Sequence, residues 1–237
     1  MGVAAVVLFC VFMMLGTWQV QRRAWKLDLI ARVDQRVHAS PISPPPPAEW
    51  PQVTAANSEY RHVRVAGTFL NDSETLVQAL TELGAGDWVL TPLRLEDGTV
   101  VIVNRGFVPP ERRDRAAHGA SAATTGATVT GLLRITEPKG SFLRRNDPAK
   151  GLWYSRDVAA IAAARGLDRV APYFVDEEAQ SGDGQAAAQA PGSAPVGGLT
   201  VIAFRNTHLM YAITWYGLAL MVLAGAWIVI REERRRA

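Results

Sequence analysis

A chain of 237 residues, 49% of them apolar, with a formal charge of only +3 at pH 7, has the composition of a molecule that is part lipid-soluble and part aqueous. Its basic residues cluster beside apolar runs, where anionic headgroups are the simplest partners, and they form no nucleic-acid footprint. The single cysteine, Cys10, excludes an intrachain disulfide and any metal site built on a cysteine pair, copper-chaperone motifs included.

The first element is the apolar run 2–18, about 25 Å long as a helix at about 1.5 Å per residue, which by length alone is a span or a signal peptide. No basic stretch precedes it and no small-residue cleavage pattern ends it. It runs into "LGTWQVQRRAWK", whose Trp and Arg residues suit an interfacial anchor, so residues 2–20 read as a first transmembrane helix. Beyond it Ala24, Leu27 and Ile30/Ala31 recur at three- and four-residue spacing, which predicts that the helix continues outward. It stops at "SPISPPPPAEWP", where successive prolines remove donors and favour extended chain.

From there the period changes to two. In "YRHVRVAGTFL", Val63, Val65, Gly67 and Phe69 alternate with His62, Arg64, Ala66 and Thr68, the pattern of a half-buried strand. Further strands are predicted over 74–80, 88–95, 99–108, 128–135, 170–175 and 200–204, with Asp97 and Gly98 turning a hairpin. One helix is predicted over 157–165, capped by Ser155 or Asp157 and stopped by Gly166. Residues 21–205 therefore read as one β-rich domain, barrel- or sandwich-like, with antiparallel pairing expected because helical crossovers are scarce. The Gly, Ala, Ser and Pro tracts near 119–126 and 182–198 bury too little apolar surface to offset their entropy and are expected as flexible loops.

The last element begins with "NTHLMYAITWYGLA". Residues 209–230 carry no charge and span about 33 Å as a helix, enough for a hydrocarbon core of about 30 Å. Residues 206–230 are a second transmembrane helix, and 231–237 ("REERRRA") a basic tail that the positive-inside rule assigns to the cytoplasm. Arg22, Arg23 and Lys26 pull the other way, but a long loop crosses largely regardless of charge, so the β-rich domain is expected to be extracytoplasmic. The fold class is thus an α+β integral membrane protein, with two transmembrane helices flanking one extracytoplasmic β-rich domain.

Catalytic chemistry has little to work with. No nucleophile elbow, phosphate loop, dinucleotide fingerprint or metal cluster is visible, and His62 and His118 are the only histidine bases within the predicted strands and loops of the domain. The membrane edge is richer. Trp18, Gln19 and Arg22 at the end of the first span meet the same interface as Asn206, His208 and Tyr211 at the start of the second. His208, Tyr211/Ala212 and Trp215 share one helix face. A neutral imidazole is a good axial ligand for haem iron, aromatic walls suit a macrocycle, and Arg22, Arg23 or Arg205 would meet propionates. The alternative is an aromatic belt of Trp18, Tyr211 and Trp215, with His208 hydrogen-bonded to Gln19 or Asn206.

Five segments in order, "LGTWQVQRRAWKLDLIARVDQR", "VIVNRGFVP", "LWYSRD", "PYFVD" and "NTHLMYAITWYGLA", resemble the signature blocks of the Surfeit-locus-one family, and the resemblance covers nearly the whole chain. That family assists assembly of haem a/copper cytochrome c oxidases. The resemblance implies a non-enzymatic factor in a bacterial plasma membrane, with oxidase subunits, haem a synthase and the lipid bilayer as partners. It implies that His208 holds haem a as the axial iron ligand, and the interface residues Trp18, Gln19, Arg22, Tyr211 and Trp215 complete the candidate site around it. A structural chaperone without a cofactor is the other reading. Asn104, Arg105, Gly106, Trp153, Tyr154, Arg156 and Asp157, from the middle blocks, have plain structural roles as turn, cap and ion-pair residues.

Overall fold

The computed structural model describes residues 2–113, 126–140, 144–179, 195–199 and 206–236. Among them are helices α1 (Gly2–Val37), α2 (Ala55–Ser58), α3 (Val158–Ala164) and α4 (His208–Arg236). The strands are β1 (His62–Phe69), β2 (Thr75–Thr81), β3 (Gly84–Leu95), β4 (Val100–Val108), β5 (Ala127–Ile135) and β6 (Val170–Glu177). They fall into two units, residues 1–34 with 202–237, and residues 35–201.

The first unit is a helix pair. Only 11% of the most apolar stretch of α1 and 6% of that of α4 is buried within the protein, so neither is the core helix of a soluble domain, and both are long and apolar enough to cross a membrane. In α1 the sheltered positions are Ala5, Phe9, Phe12, Leu15/Gly16 and Gln19; in α4 they include His208, Ala212, Trp215/Tyr216, Ala219 and Val222. This three-four spacing is that of a helix–helix seam. At Gly16 the helices come close, because a Cβ there would lie 2.7 Å from Cε1 of Tyr216. In lipid, where apolar burial drives no association, such close approach through small residues is what holds helices together.

The second unit is a closed barrel. The ring runs β1-β5-β6-β4-β3 and closes through β1–β3 pairing, with β2 added outside on β3. Antiparallel pairing holds around the ring except between β4 and β6, which run parallel. That departure from the expected pattern is forced, because strands in a ring of odd number cannot alternate direction all the way round. The long connection through β5 and α3 supplies the crossover that a parallel pair needs.

Two cores explain the near-continuous apolar reading of β4 and β6. Val63, Val65, Phe69, Leu93, Val101, Val103, Val129, Leu133, Tyr173 and Val175 fill one cluster, the barrel interior. Residues on the opposite face of the same strands, Leu90, Ile102 and Phe174, pack with Val77, Trp153, Val158 and Ile161 in a second, under α3. Strands buried on both faces lose the alternation that marks half-buried ones. Tyr173 donates its hydroxyl to the Pro45 carbonyl at 2.9 Å, which ties the proline-rich segment to the barrel, and burial pushes its phenol up to about 12.

The strands predicted near 62–69, 74–80, 88–95, 99–108, 128–135 and 170–175 all form. The hairpin turn is made by Asp97 and Gly98, the latter at φ +77. Asp157, and not Ser155, caps α3 by accepting from the Ala160 amide at 3.1 Å; Ser155 is buried and bonded to Asn146 and Gly140. The strand predicted over 200–204 and most of both loop tracts lie outside the described residues. Val196, inside the tract read as a flexible loop, is buried and exchanges two backbone hydrogen bonds with Phe107, at 2.9 and 3.0 Å. Gly106 admits it: at φ +128 it lacks the Cβ that would stand 2.3 Å from the Val196 carbonyl.

Candidate functional site

The helix pair brings His208 to Gln19. Nδ1 of His208 lies 2.7 Å from Oε1 of Gln19, and the Gln19 side chain is buried at 9% exposure. An amide oxygen can only accept, so this contact is one to which the ring contributes Nδ1 as the donor side. One turn further into the apolar run, the Thr17 and Tyr216 hydroxyls are hydrogen-bonded at 3.2 Å. Below them Phe12 stacks on Trp215, with centroids 5.8 Å apart. The pair is thus clasped by polar contacts near one end and by aromatic packing deeper in, the arrangement that fixes register between helices in lipid.

Other predicted site residues are placed differently. The Arg22 guanidinium lies 4.9 Å over the ring of Trp25, and Trp18 and Tyr211 are half exposed at 51% and 53%. They occupy the helix surface that an aromatic belt would use. Asn206 has a buried Oδ1 with no partner among the described residues. Arg205, one of the proposed propionate partners, lies outside them.

The fit to a haem is a matter of donor chemistry. Among the described residues no three His, Cys, Asp or Glu side chains gather to hold a metal ion. A single neutral imidazole with Nδ1 anchored and Nε2 available is nonetheless a complete axial ligand for an iron whose equatorial positions a porphyrin already fills. His208, its Nδ1 against Gln19, is the residue that would supply such a ligand.

The second polar constellation lies on the face of β4, β5 and β6 opposite the barrel interior and gathers the middle sequence blocks. Asn104 donates to Asp176 at 2.8 Å, and the other oxygen of Asp176 accepts from Arg134 at 2.9 Å. Arg156 reaches Asp176 at 3.3 Å and forks onto Glu137, while Arg134 also holds Glu59 at 2.8 Å. Burial would raise the Glu137 carboxyl, but the Arg156 hydrogen bonds and charge override it and hold it below the usual carboxylate range. Arg156 also lies 4.8 Å from the Phe174 ring. A cavity of about 380 Å³ opens beside the cluster, walled by Trp88, Arg134, Arg156 and Asp176. Sequence reasoning missed Arg134, Glu137 and Glu59. The signal was an arginine closing the apolar run "TGLLRI", in a strand whose neighbours leave no room for an unpaired charge.

Two membrane-length helices clasped through a Gln–His contact, at the two ends of a chain whose middle forms a closed barrel, define a membrane-anchored barrel protein. The chain belongs to the SURF1 family, whose model matches residues 6–220. It is 37% identical to Surfeit locus protein 1 of Rattus norvegicus, over 94% of this chain and 72% of the relative. It is 36% identical to Surfeit locus protein 1 of Homo sapiens, over 86% and 69% respectively. A SURF1-like protein of Monosiga brevicollis is 35% identical over 92% of this chain and 83% of its own length.

Proposed function

We propose that the chain is a non-enzymatic assembly factor for cytochrome c oxidase that holds haem a at His208 and passes it to the large oxidase subunit. Family membership supports the role in oxidase assembly. The apolar character of α1 and α4 supports an anchor in the membrane. The bacterial plasma membrane is the proposed site, with the barrel on the extracytoplasmic side because Arg231, Arg234, Arg235 and Arg236 follow the second span. Oxidase subunits are the recipients, and haem a synthase is the donor.

The single observation that carries the haem reading is the His208–Gln19 pair, which anchors one ring nitrogen and leaves the other as a ligand. Haem a, when bound, supplies an iron whose axial positions exchange ligands, so one imidazole gives a hold that can be released. Trp215, backed by Phe12, offers an aromatic surface on the same face of α4 as His208. Arg22 brings positive charge just beyond the apolar run of α1, where propionates would lie.

The test is the absorption spectrum of the full chain purified from cells that make haem a, with and without His208→Ala. A haem a band that disappears in the variant is expected. An intact protein without pigment under haem-replete conditions would instead make it a structural chaperone of an oxidase intermediate.

A further inference from the structure

We infer that Gln19 is a positioning residue: its amide oxygen keeps the His208 proton on Nδ1, so that Nε2 is delivered as the metal-binding nitrogen. The inference rests on the haem reading above and deepens it, since Gln19 acts through the ring and not on the haem.

A neutral imidazole has one donor nitrogen and one acceptor, and only the acceptor can bind iron. In free histidine the proton exchanges between the two. Here an acceptor sits 2.7 Å from Nδ1, on a partner 189 positions away in sequence and on the other helix. Gln19 is buried in the seam, where the medium strengthens the bond and makes an unmade one costly. The neighbouring contacts hold the two residues in register, with Thr17 bonded to Tyr216 on one side and Tyr216 packed against Gly16. With Nδ1 tethered, the ring cannot rotate without breaking the bond, so Nε2 has a fixed direction. Metal-bound histidines use the same device, the second nitrogen donating to a carboxylate, a carbonyl or water.

The identity of the partner has a consequence for release. An amide raises the basicity of the ring less than a carboxylate would, because it brings no negative charge. The ligand is therefore oriented without being made strongly donating, which suits transfer of haem more than permanent storage.

The experiment uses the full chain in lipid nanodiscs with ¹⁵N-labelled histidine, and His208→Ala assigns the His208 signals by difference. In the metal-free wild type, above the titration range of imidazole, the His208 nitrogen shifts should report the Nδ1–H tautomer. Gln19→Leu should move the population to Nε2–H, while Gln19→Glu, which keeps an acceptor, should retain Nδ1–H. Titration with hemin, followed by absorbance, should show binding about 10–100-fold weaker for Gln19→Leu. Gln19→Glu should bind, with a reduction potential below that of wild type. A wild-type ring in the Nε2–H form overturns the inference, as does a Gln19→Leu protein with wild-type tautomer and hemin affinity. If His208→Ala binds hemin as the wild type does, the haem reading falls, and with it the delivery of Nε2 to a metal. Tautomer control by Gln19 would then survive only as a helix-packing contact, which distinguishes the two failures.

Discussion

Asn104 and Asp176 are direct partners across the parallel β4–β6 pair, hydrogen-bonded at 2.8 Å and each 4% exposed. Asp176 also serves Arg134 and Arg156, so one carboxylate answers two guanidinium groups drawn from other elements. Removing it leaves buried positive charge with fewer partners. Asp176→Ala is expected to destabilise the barrel by about 3–5 kcal/mol, the usual cost of breaking one side of a buried ion pair. Urea unfolding of the full chain in detergent, followed by tryptophan fluorescence, measures it. A loss below about 1 kcal/mol would mean that water replaces Asp176 as freely as at an exposed pair.

Gly106 governs whether the segment around Val196 docks on β4. An alanine there must adopt φ +128 with its Cβ 2.3 Å from a backbone carbonyl. Neither is tolerated, so Gly106→Ala should displace Val196 and expose the amides that Phe107 and Val196 exchange. Hydrogen exchange monitored by mass spectrometry should show lost protection at both amides, with β1 and β5 unchanged. Unaltered protection at Phe107 would refute the steric account.

Two part-buried carboxyls should give the barrel opposite pH slopes. Desolvation raises Glu74, against the Thr91 hydrogen bond and the charges of Arg105 and Arg165 that lower it. The folded state therefore holds its proton above the ordinary value of 4.5, and the stability it contributes below 4.5 is lost as pH rises through the raised value. Glu137 behaves the other way. Its folded value is depressed, so its contribution is present above 4.5 and is lost as pH falls through the lower value. Glu74→Gln should abolish the decline on the high side of 4.5 and make the protein relatively more stable at neutral pH. Glu137→Gln should abolish the decline on the low side. Urea midpoints recorded from pH 3 to pH 8 read both, and a Glu74→Gln curve parallel to wild type above 4.5 would overturn the assignment.

The strands were legible because period two and turn chemistry are local properties. Val63, Val65 and Phe69 announce β1 by themselves, and Asp97 with Gly98 announces the β3–β4 hairpin. What could not be read locally was closure. The parallel β4–β6 pair follows from an odd ring, and no single strand carries the number of its neighbours. Arg134 stayed hidden for the same reason, since its partners Glu59 and Asp176 lie 75 and 42 positions away. At the helix pair the His208–Gln19 contact was readable as an alternative, because both residues stand out as polar at the ends of apolar runs. The outward placement of Trp18 and the Arg22–Trp25 stack were not, because rotation of a helix about its axis is set by packing.

The orientation proposed for the barrel predicts accessibility from one side only. Lys150 has a side chain 73% exposed, so Lys150→Cys in a Cys10→Ser background offers one thiol on the barrel surface. A membrane-impermeant maleimide should label it in intact spheroplasts. Labelling that requires membrane disruption would place the barrel on the cytoplasmic side, and the basic tail opposite.

Gly16 tests whether the helix seam sets the geometry of His208. Its Cβ position lies 2.7–2.9 Å from three atoms of the Tyr216 ring, so any larger residue must push that ring aside. Leucine adds a branched side chain where the Tyr216 ring already fills the space, and small residues are what allow helices to meet in lipid. Displacing Tyr216 breaks its hydroxyl contact with Thr17 and loosens the register that places Gln19 against His208. Gly16→Leu should therefore lower oxidase assembly while the barrel stays folded and the chain stays inserted. Nitroxide labels at Val20→Cys and Met210→Cys, both exposed, with Cys10→Ser, report the helix separation directly. A narrow distance distribution is expected with Gly16, and a broader, longer one with leucine. Tyr216→Ala combined with Gly16→Leu should restore the narrow distribution by making room, without restoring the Thr17 hydrogen bond. If Gly16→Leu leaves both the distances and oxidase assembly unchanged, the seam does not position His208, and the Gln19 contact must be held by the interface residues alone.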